Sequence, residues 1–240
     1  MAPDPASFVR VRTTRPRSPF PPNSARQPII TPRLILRALT PEDIPALHVL
    51  RTQPEVMRWT ALGRPDADLE ETRRRMERSY PPNDTASFNF AICARGVDGD
   101  ADAAGELIGI GGCALTKGSF GWPEVGYMLK KEHWGKGLAT EFLQGWLRAW
   151  DTLEREVVEV EVDRRTLAGD GAVGDENADG EGGRLVRERL IAITAAGNGK
   201  SQRVLAKAGF EWFLTWLGED LTEGAAPGST VALPTYRYFP

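Results

Sequence analysis

The chain contains 240 residues, of which 41% are hydrophobic and 26% charged, and its formal net charge is −3. This composition is ordinary for a globular protein, and the charge gives no reason to expect nucleic acid or a membrane surface as a partner. No apolar run approaches the roughly 18 residues that a membrane-spanning helix needs. The length allows one large domain or two small ones.

Cysteine and histidine usage gives two further expectations. Cys93 and Cys113 both fall in strand-like runs, which favours buried free thiols in a reducing compartment and hence a cytoplasmic protein. The two histidines, His48 and His133, are far apart in sequence, so that no metal-ligand spacing is present and we expect no metal.

Residues 1–27 are rich in proline and arginine and contain one acidic residue, Asp4. Because six prolines interrupt any hydrophobic periodicity, we predict a disordered tail here and a single domain over residues 28–240. An arginine-rich, acid-poor N-terminus also fits an organellar presequence. The prolines argue against the amphipathic helix that such a signal uses.

The first half of the domain reads as one strand, two helices and three strands. A strand apolar on both sides covers residues 29–39, and Thr40-Pro41-Glu42-Asp43 then carries the cap, proline and acids of a helix start. A second helix is predicted over residues 69–80, followed by strands at 87–94, 106–115 and 124–130. Residues 109–112 resemble a glycine-rich phosphate loop, but more strand follows, which indicates a bulge or a close backbone approach instead.

The second half continues with a helix over residues 138–153 and a strand at 157–162. Residues 164–186 form an acidic, glycine-rich insertion that we predict to be flexible. A strand at 190–194, a helix at 199–208 capped by Asn198, and strands at 210–217 and 230–238 end the chain. This order predicts an α+β fold, with a mixed, mostly antiparallel twisted sheet of about seven strands and flanking helices.

The segment over residues 125–143 carries the first functional signal. Gly135 and Gly137 lie where the helix begins, and the first backbone N–H groups of a helix have no internal partner and carry the positive end of its dipole. Glycines at this point allow a phosphate to approach the backbone closely. A tight turn before a packing helix would give the same spacing, so the pattern alone leaves both interpretations open.

Three segments together resemble the GNAT superfamily of acetyl-CoA-dependent N-acetyltransferases. They are Thr-Pro-Arg-Leu-Ile-Leu-Arg at 31–37, the strand-loop-helix segment at 125–141, and Asn-Gly-Lys-Ser followed by Lys-Ala-Gly-Phe within 198–210. The resemblance covers roughly residues 29–218 and is closest to the branch that includes the ribosomal-protein N-terminal acetyltransferases. It implies a GNAT fold in which residues 190–194 are the family's fifth strand and 157–162 belong to an insertion.

The resemblance also implies a site for acetyl-CoA. In this family the fourth and fifth strands splay apart around the pantetheine arm, and here the backbone of Tyr127, Met128 and Leu129 would pair with it. Asn198 would also reach the pantetheine. The residues implied for the pyrophosphate loop are Trp134, Gly135, Lys136, Gly137, Leu138, Ala139 and Thr140.

Acetyl transfer to an amine needs a base, oxyanion donors and, for the leaving thiolate, sometimes an acid. Glu124 is the candidate base, and a solvated carboxylate at a strand end is the alternative. The resemblance implies a tyrosine as this acid at the position of Leu205, and a leucine cannot protonate a thiolate. Ser201 is therefore the candidate acid, with Tyr127, water or no acid as alternatives.

The sequence thus predicts an acetyltransferase that moves the acetyl group of acetyl-CoA to a primary amine by direct attack in a ternary complex. A weakly equipped site suits a protein N-terminus or a small amine of low pKa, since an α-amino group titrates near about 8 and lysine near about 10.4. The alternative is a protein that binds acyl-CoA without turnover, as a sensor or scaffold. We expect a monomer or a homodimer. The homodimer would form if Trp212, Phe213 and Trp216 supply an apolar edge that a second copy of the chain contacts.

Overall fold

The computed structural model describes residues 2–96, 104–168, 185–220, 222 and 224–240. Five α-helices form within those ranges: α1 (Ile44–Arg51), α2 (Pro54–Met57), α3 (Leu69–Met76), α4 (Leu138–Asp151) and α5 (Gly199–Lys207). The strands are β1 (Phe8–Pro16), β2 (Ile29–Ile30), β3 (Leu34–Arg37), β4 (Phe88–Arg95), β5 (Ala104–Leu115), β6 (Glu124–Leu129), β7 (Arg155–Asp163), β8 (Leu190–Ile193), β9 (Glu211–Glu219) and β10 (Thr230–Tyr238).

Eight of the described strands form one sheet in the order β2-β3-β4-β5-β6-β8-β10-β9. Every neighbouring pair in it is antiparallel except β6 and β8, which run parallel. The predicted α+β class with a mixed, mostly antiparallel sheet is therefore confirmed. The sheet has one strand more than the seven expected, because the predicted strand at 29–39 divides into β2 and β3, which pair with each other.

Helices cover both faces of this sheet. On one face, α4 buries Phe142, Trp146 and Trp150 against a cluster that includes Val125 of β6 and Leu190 of β8. On the opposite face, α1 and α3 pack on β4 and β5, with Leu47, Leu50 and Met76 buried against Ala91, Cys93, Leu107 and Ile110. Successive residues of β6 therefore point to different layers, because side chains alternate along a strand.

Glycines within β5 are needed for packing. A Cβ on Gly109 would lie 2.4 Å from the carbonyl oxygen of Met128 on the neighbouring strand, and one on Gly111 would lie 2.5 Å from the ring of Phe142 on α4. Both distances are too short for a real side-chain atom. The close backbone approach expected for residues 109–112 is confirmed.

The N-terminal segment is ordered in the described part of the chain, so the prediction of a disordered tail over residues 1–27 was wrong. β1 pairs with β7 along nine positions, from Phe8 opposite Asp163 to Pro16 opposite Arg155, in a ribbon outside the main sheet. The Phe20 side chain is only 3% exposed, and its ring centroid lies 5.6 Å from that of Phe88. The segment thus contributes to the main core.

Opposite charges and a shared apolar face explain this ribbon. Arg10 lies opposite Glu161 and Arg12 opposite Glu159, and such cross-strand pairs stabilise a ladder. On the other face, Val11 is buried in a third apolar cluster together with Phe120, Trp122, Val162, Val186 and Ile191. The arginines that made residues 1–27 look disordered therefore face glutamates about 150 positions along the sequence.

The predicted acidic insertion at 164–186 lies mostly outside the described residues, which stop at 168 and resume at 185. Arg164–Leu167 form one turn of 3-10 helix directly after β7. β7 takes no part in the main sheet, and β8 occupies the place beside β6. None of the helices in the described part of the chain is long and apolar enough to cross a membrane.

Candidate active site

A V-shaped opening separates β6 from β8. The two parallel strands are in register only where Glu124 lies opposite Ile191, next to a hydrogen bond of 2.9 Å from the Ile191 N–H to the Pro123 carbonyl. Beyond that point β6 continues to pair with β5, and β8 pairs with β10. The edge of β6 from 125 to 129, which includes the predicted pantetheine-binding Tyr127, Met128 and Leu129, therefore has no strand partner on the side of β8 within the described residues.

A short hydrogen-bonded chain spans the V. Asn198 begins α5, and its side-chain oxygen accepts the Ser201 N–H at 3.1 Å, as predicted for a capping residue. The Ser201 hydroxyl of α5 lies 2.9 Å from the hydroxyl of Tyr127 on β6. Burial raises the pKa of Tyr127 to about 12, against the lowering effect of the Ser201 contact. Tyr127 therefore stays protonated near neutral pH and can act as a hydrogen donor.

The loop after β6 is folded back onto the strand that precedes it. The Trp134 indole N–H donates to the Leu129 carbonyl at 2.8 Å, and the Lys200 ammonium of α5 lies 4.9 Å from the centre of the indole ring. Gly135 and Gly137 have φ angles of 75° and 78°, which glycine adopts far more readily than other residues. Trp134 thus fixes the loop by its own indole group, and Lys200 brings a cation to the mouth of the V.

The start of α4 carries backbone N–H groups without a partner inside the helix. Gly137 is its N-cap in the left-handed conformation, and the N–H of Glu141 is the first to close a helical bond, to the Gly137 carbonyl at 3.1 Å. The N–H groups of Leu138, Ala139 and Thr140 precede that bond and belong to the first turn, where helix donors have no internal partner. The exposed Lys136 adjoins them. A phosphate group would meet partial and full positive charges here.

Glu124 lies at the apex of the V. It faces Leu115 across a bulge in β5, and bulges commonly redirect side chains near active sites. The Ser119 backbone N–H donates to a Glu124 carboxylate oxygen. Burial raises the pKa of this carboxyl group above its usual value, although the hydrogen bonds from Ser119 oppose that effect. Glu124 is therefore partly buried and hydrogen-bonded.

The backbone at Gly126 leaves an open space beside Glu124. It is exposed, and a Cβ at this position would meet no atom within 4 Å. Its neighbour two positions on, Met128, packs toward the α1 and α3 layer, whereas Tyr127 packs with α4. Because side chains alternate, Glu124, Gly126 and Met128 share the face that carries α1 and the β1–β7 ribbon. The sequence contained no signal for this opening.

Three further residues complete the description of the site: Leu205, Arg33 and Glu141. Leu205 is a residue of α5 that is 2% exposed in the core, and its side chain has no proton to donate. Arg33 and Glu141 belong to two of the segments that carry the family resemblance, but the sequence predicted no role for them. Their side chains form an ion pair beside the glycine-spaced loop. No cluster of three or more potential metal ligands was found among the described residues.

These features together are typical of one class of acyltransferases. In that class, two strands of the sheet diverge beside a helix that begins after spaced glycines. The family model described as the acetyltransferase (GNAT) domain matches residues 33–211. The chain therefore belongs to the GNAT acetyltransferase family, which confirms the resemblance in the sequence.

Individual relatives agree with this assignment. The chain is 30% identical to an uncharacterized N-acetyltransferase p20 of Bacillus licheniformis over 117 residues, 48% of this chain and 61% of that relative, so that the match spans less than two thirds of it. A spermidine N-acetyltransferase from Vibrio cholerae, solved with CoA and spermine, shares 17% identity with a TM-score of 0.55, covering 87% of this chain and 96% of that one. RimL, a ribosomal L7/L12 alpha-N-protein acetyltransferase in complex with CoA, shares 17% identity with a TM-score of 0.54, covering 89% and 98%.

Proposed function

We propose that this protein transfers the acetyl group of acetyl-CoA to a primary amine. The observation that carries the proposal is the V between β6 and β8, whose open end lies between a glycine-spaced helix start and the capped start of α5. The pantetheine arm pairs with the free edge of β6 at Tyr127, Met128 and Leu129. The pyrophosphate sits on the loop from Trp134 to Thr140, and the thioester reaches the apex beside Glu124.

Glu124 serves as the general base in this proposal. The amine nitrogen attacks the thioester carbonyl carbon and loses a proton to Glu124, directly or through one water. A pKa raised by burial makes this carboxylate a stronger proton acceptor than an exposed glutamate. The carbon–sulfur bond then breaks and releases CoA thiolate.

Ser201 and Tyr127 can together supply the proton that the thiolate needs. Their hydroxyl groups are 2.9 Å apart, and Tyr127 is protonated near neutral pH. Both hydroxyl groups hold a proton at this pH, so Ser201 serves as the donor to the sulfur, with Tyr127 as its hydrogen-bonded partner. A thiolate of pKa near about 8.5 also leaves without assistance, so the acid contributes less than the base.

The acceptor reaches the thioester over Gly126. We expect Gly126→Val to lower kcat/KM for the amine by about 100-fold. The branched valine side chain would fill the open space beside Glu124, so the amine could no longer reach the thioester in a productive orientation. The Kd for acetyl-CoA should stay within twofold, since the strand edge and the phosphate loop are unchanged. Steady-state kinetics and calorimetry measure the two quantities.

Gly126→Ala is the matched control for side-chain size. Its kcat/KM for the amine should lie between those of the unaltered protein and of Gly126→Val. A Cβ at position 126 would meet no atom within 4 Å in the free protein, and valine suits a strand, so thermal unfolding should be unchanged or slightly improved. Equal acceptor kinetics for all three proteins would show that the amine approaches elsewhere.

Two acceptor classes are proposed, a protein N-terminus and a small-molecule amine. One structural relative is a spermidine acetyltransferase and another a ribosomal-protein N-terminal acetyltransferase, so relatives of this fold include both. The lack of a strong acid at Leu205 favours an amine of low pKa over lysine side chains. Faster acetylation of lysine peptides than of free N-termini would contradict this preference.

The second candidate function is acyl-CoA binding without turnover, as a sensor or scaffold. Leu205 stands where the family resemblance implies a tyrosine, and as a buried leucine it cannot donate a proton, which favours this candidate. Tight acetyl-CoA binding with no thiol release across a broad amine panel would support it over the enzyme.

We also propose a cytoplasmic location and a monomeric or homodimeric state. Cys93 and Cys113 are both free and buried, in agreement with a reducing compartment. β9 is an outer strand of the sheet, and its Trp212 is 59% exposed, which supports the edge as a dimer contact. Size-exclusion chromatography with light scattering distinguishes the two states.

A further inference from the structure

An ion-paired strut connects the turn before β3 to the start of α4. The Arg33 guanidinium donates to Glu141 from two nitrogens at 2.7 Å each, and the Arg33 backbone N–H donates to the same carboxylate at 2.7 Å. The Thr31 hydroxyl adds a further bond of 2.7 Å. The remaining Arg33 nitrogen donates to the Lys136 carbonyl at 2.9 Å, in the middle of the glycine-spaced loop.

The position of Glu141 creates an electrostatic problem for an anionic ligand. Its carboxylate lies in the first turn of the helix whose N–H groups would hold a pyrophosphate. Although burial acts to raise its pKa, the bonds from Thr31 and Arg33 together hold the pKa of Glu141 below its usual value. The carboxylate is therefore charged at neutral pH, and without a cation it would repel the phosphates.

Arg33 solves this problem and also shapes the loop. Its charge neutralises Glu141, and its bond to the Lys136 carbonyl occupies that acceptor within the loop. A Cβ on Gly137 would lie 3.4 Å from an Arg33 nitrogen, so the guanidinium packs directly against the loop. One side chain thus controls both the charge and the conformation of the same segment.

We propose that Arg33 is a positioning residue for the pyrophosphate group of acetyl-CoA. It acts through Glu141 and the Lys136 carbonyl and does not itself contact the reacting atoms. The inference rests on the proposed function, because it assigns the phosphate site of the same reaction. Its consequence is selective, since only a substrate that carries the pyrophosphate depends on Arg33.

The test compares acetyl-CoA with S-acetylpantetheine, which carries the thioester without the phosphates. Arg33→Ala should raise KM and Kd for acetyl-CoA about tenfold, the usual effect of losing one charged hydrogen-bonding partner. The kcat/KM for S-acetylpantetheine should stay within twofold. An equal loss with both substrates would overturn the proposal, because it would indicate damage to the fold or to catalysis.

Variants of Glu141 separate charge from structure. Glu141→Gln alone should leave the Kd for acetyl-CoA unchanged or tighter, since the repelling charge is removed while Arg33 remains. In Arg33→Ala/Glu141→Gln, most of the loss should be recovered. If Glu141→Gln weakens binding as much as Arg33→Ala, or the double variant recovers nothing, the strut is merely structural and the proposal fails.

Arg17→Ala is the matched control, because Arg17 forms a single exposed ion pair with Glu154 at 2.9 Å, far from the loop in the fold. It should change neither substrate's kinetics. If the unaltered protein binds no acetyl-CoA, the proposed function itself fails. If it binds acetyl-CoA and Arg33→Ala binds equally well, only the present inference fails.

Discussion

Glu124→Gln should lower kcat by a factor between about 10² and 10⁴, the usual contribution of a general base. Glutamine keeps the shape of the side chain but cannot accept the proton of the attacking amine. The Kd for acetyl-CoA should remain unchanged, because the proposed ligand contacts lie on the strand edge and the loop. Thiol-release kinetics and calorimetry on the same preparation measure both.

The pH profile gives an independent readout of the same residue. The base must be deprotonated, so kcat/KM should fall as pH drops through the Glu124 pKa, which burial raises from the usual glutamate value. This acid limb should disappear in Glu124→Gln, while any limb caused by the amine remains.

Glu159→Gln, an exposed carboxylate of the β1–β7 ribbon, is the control and should behave like the unaltered protein. If Glu124→Gln retained full turnover, the assignment of the base would be wrong.

Phe20→Ala should lower the free energy of unfolding by about 3–5 kcal/mol, the range for truncating a buried phenylalanine. Phe20 packs against Phe88 and lies 5.8 Å from Trp150 between ring centroids, so its removal opens a cavity in the main core. Urea unfolding followed by tryptophan fluorescence measures the change.

Arg12→Ala is the control within the same segment, because Arg12 is exposed on the ribbon and exposed ion pairs contribute little. Its effect should stay within about 0.5 kcal/mol. An unchanged free energy of unfolding for Phe20→Ala would mean that residues 1–27 are disordered after all, as their composition suggested.

Local patterns accounted for most of the elements. The apolar spacing of α4, the Asn198 cap of α5 and the glycine pair before α4 each depend on residues within one or two helical turns, so the sequence displays them directly. The expectation that β6 and β8 lie beside each other and splay apart came from the family resemblance, because no local pattern states which strands are neighbours. The rest of the strand order was not predicted.

Long-range partners could not be predicted in the same way. The composition of β1 is that of a disordered arginine-rich segment, and its pairing with the glutamates of β7 is not visible in the sequence. Glu141 has the pattern of an ordinary surface acid, and its contact with Arg33 is equally invisible there. The bond from Ser119 to Glu124 and the open space over Gly126 likewise depend on how distant turns meet. Each of these contacts is set by tertiary packing, which composition and periodicity do not encode.

The central claim is that acetyl-CoA binds in the V between β6 and β8 and gives its acetyl group to an amine. The most direct measurement is thiol release from acetyl-CoA with a panel of free N-terminal peptides, lysine peptides, polyamines and amino acids, with calorimetry of acetyl-CoA alongside. We expect saturable binding of acetyl-CoA and turnover with at least one class of amine. The absence of any binding would contradict the claim.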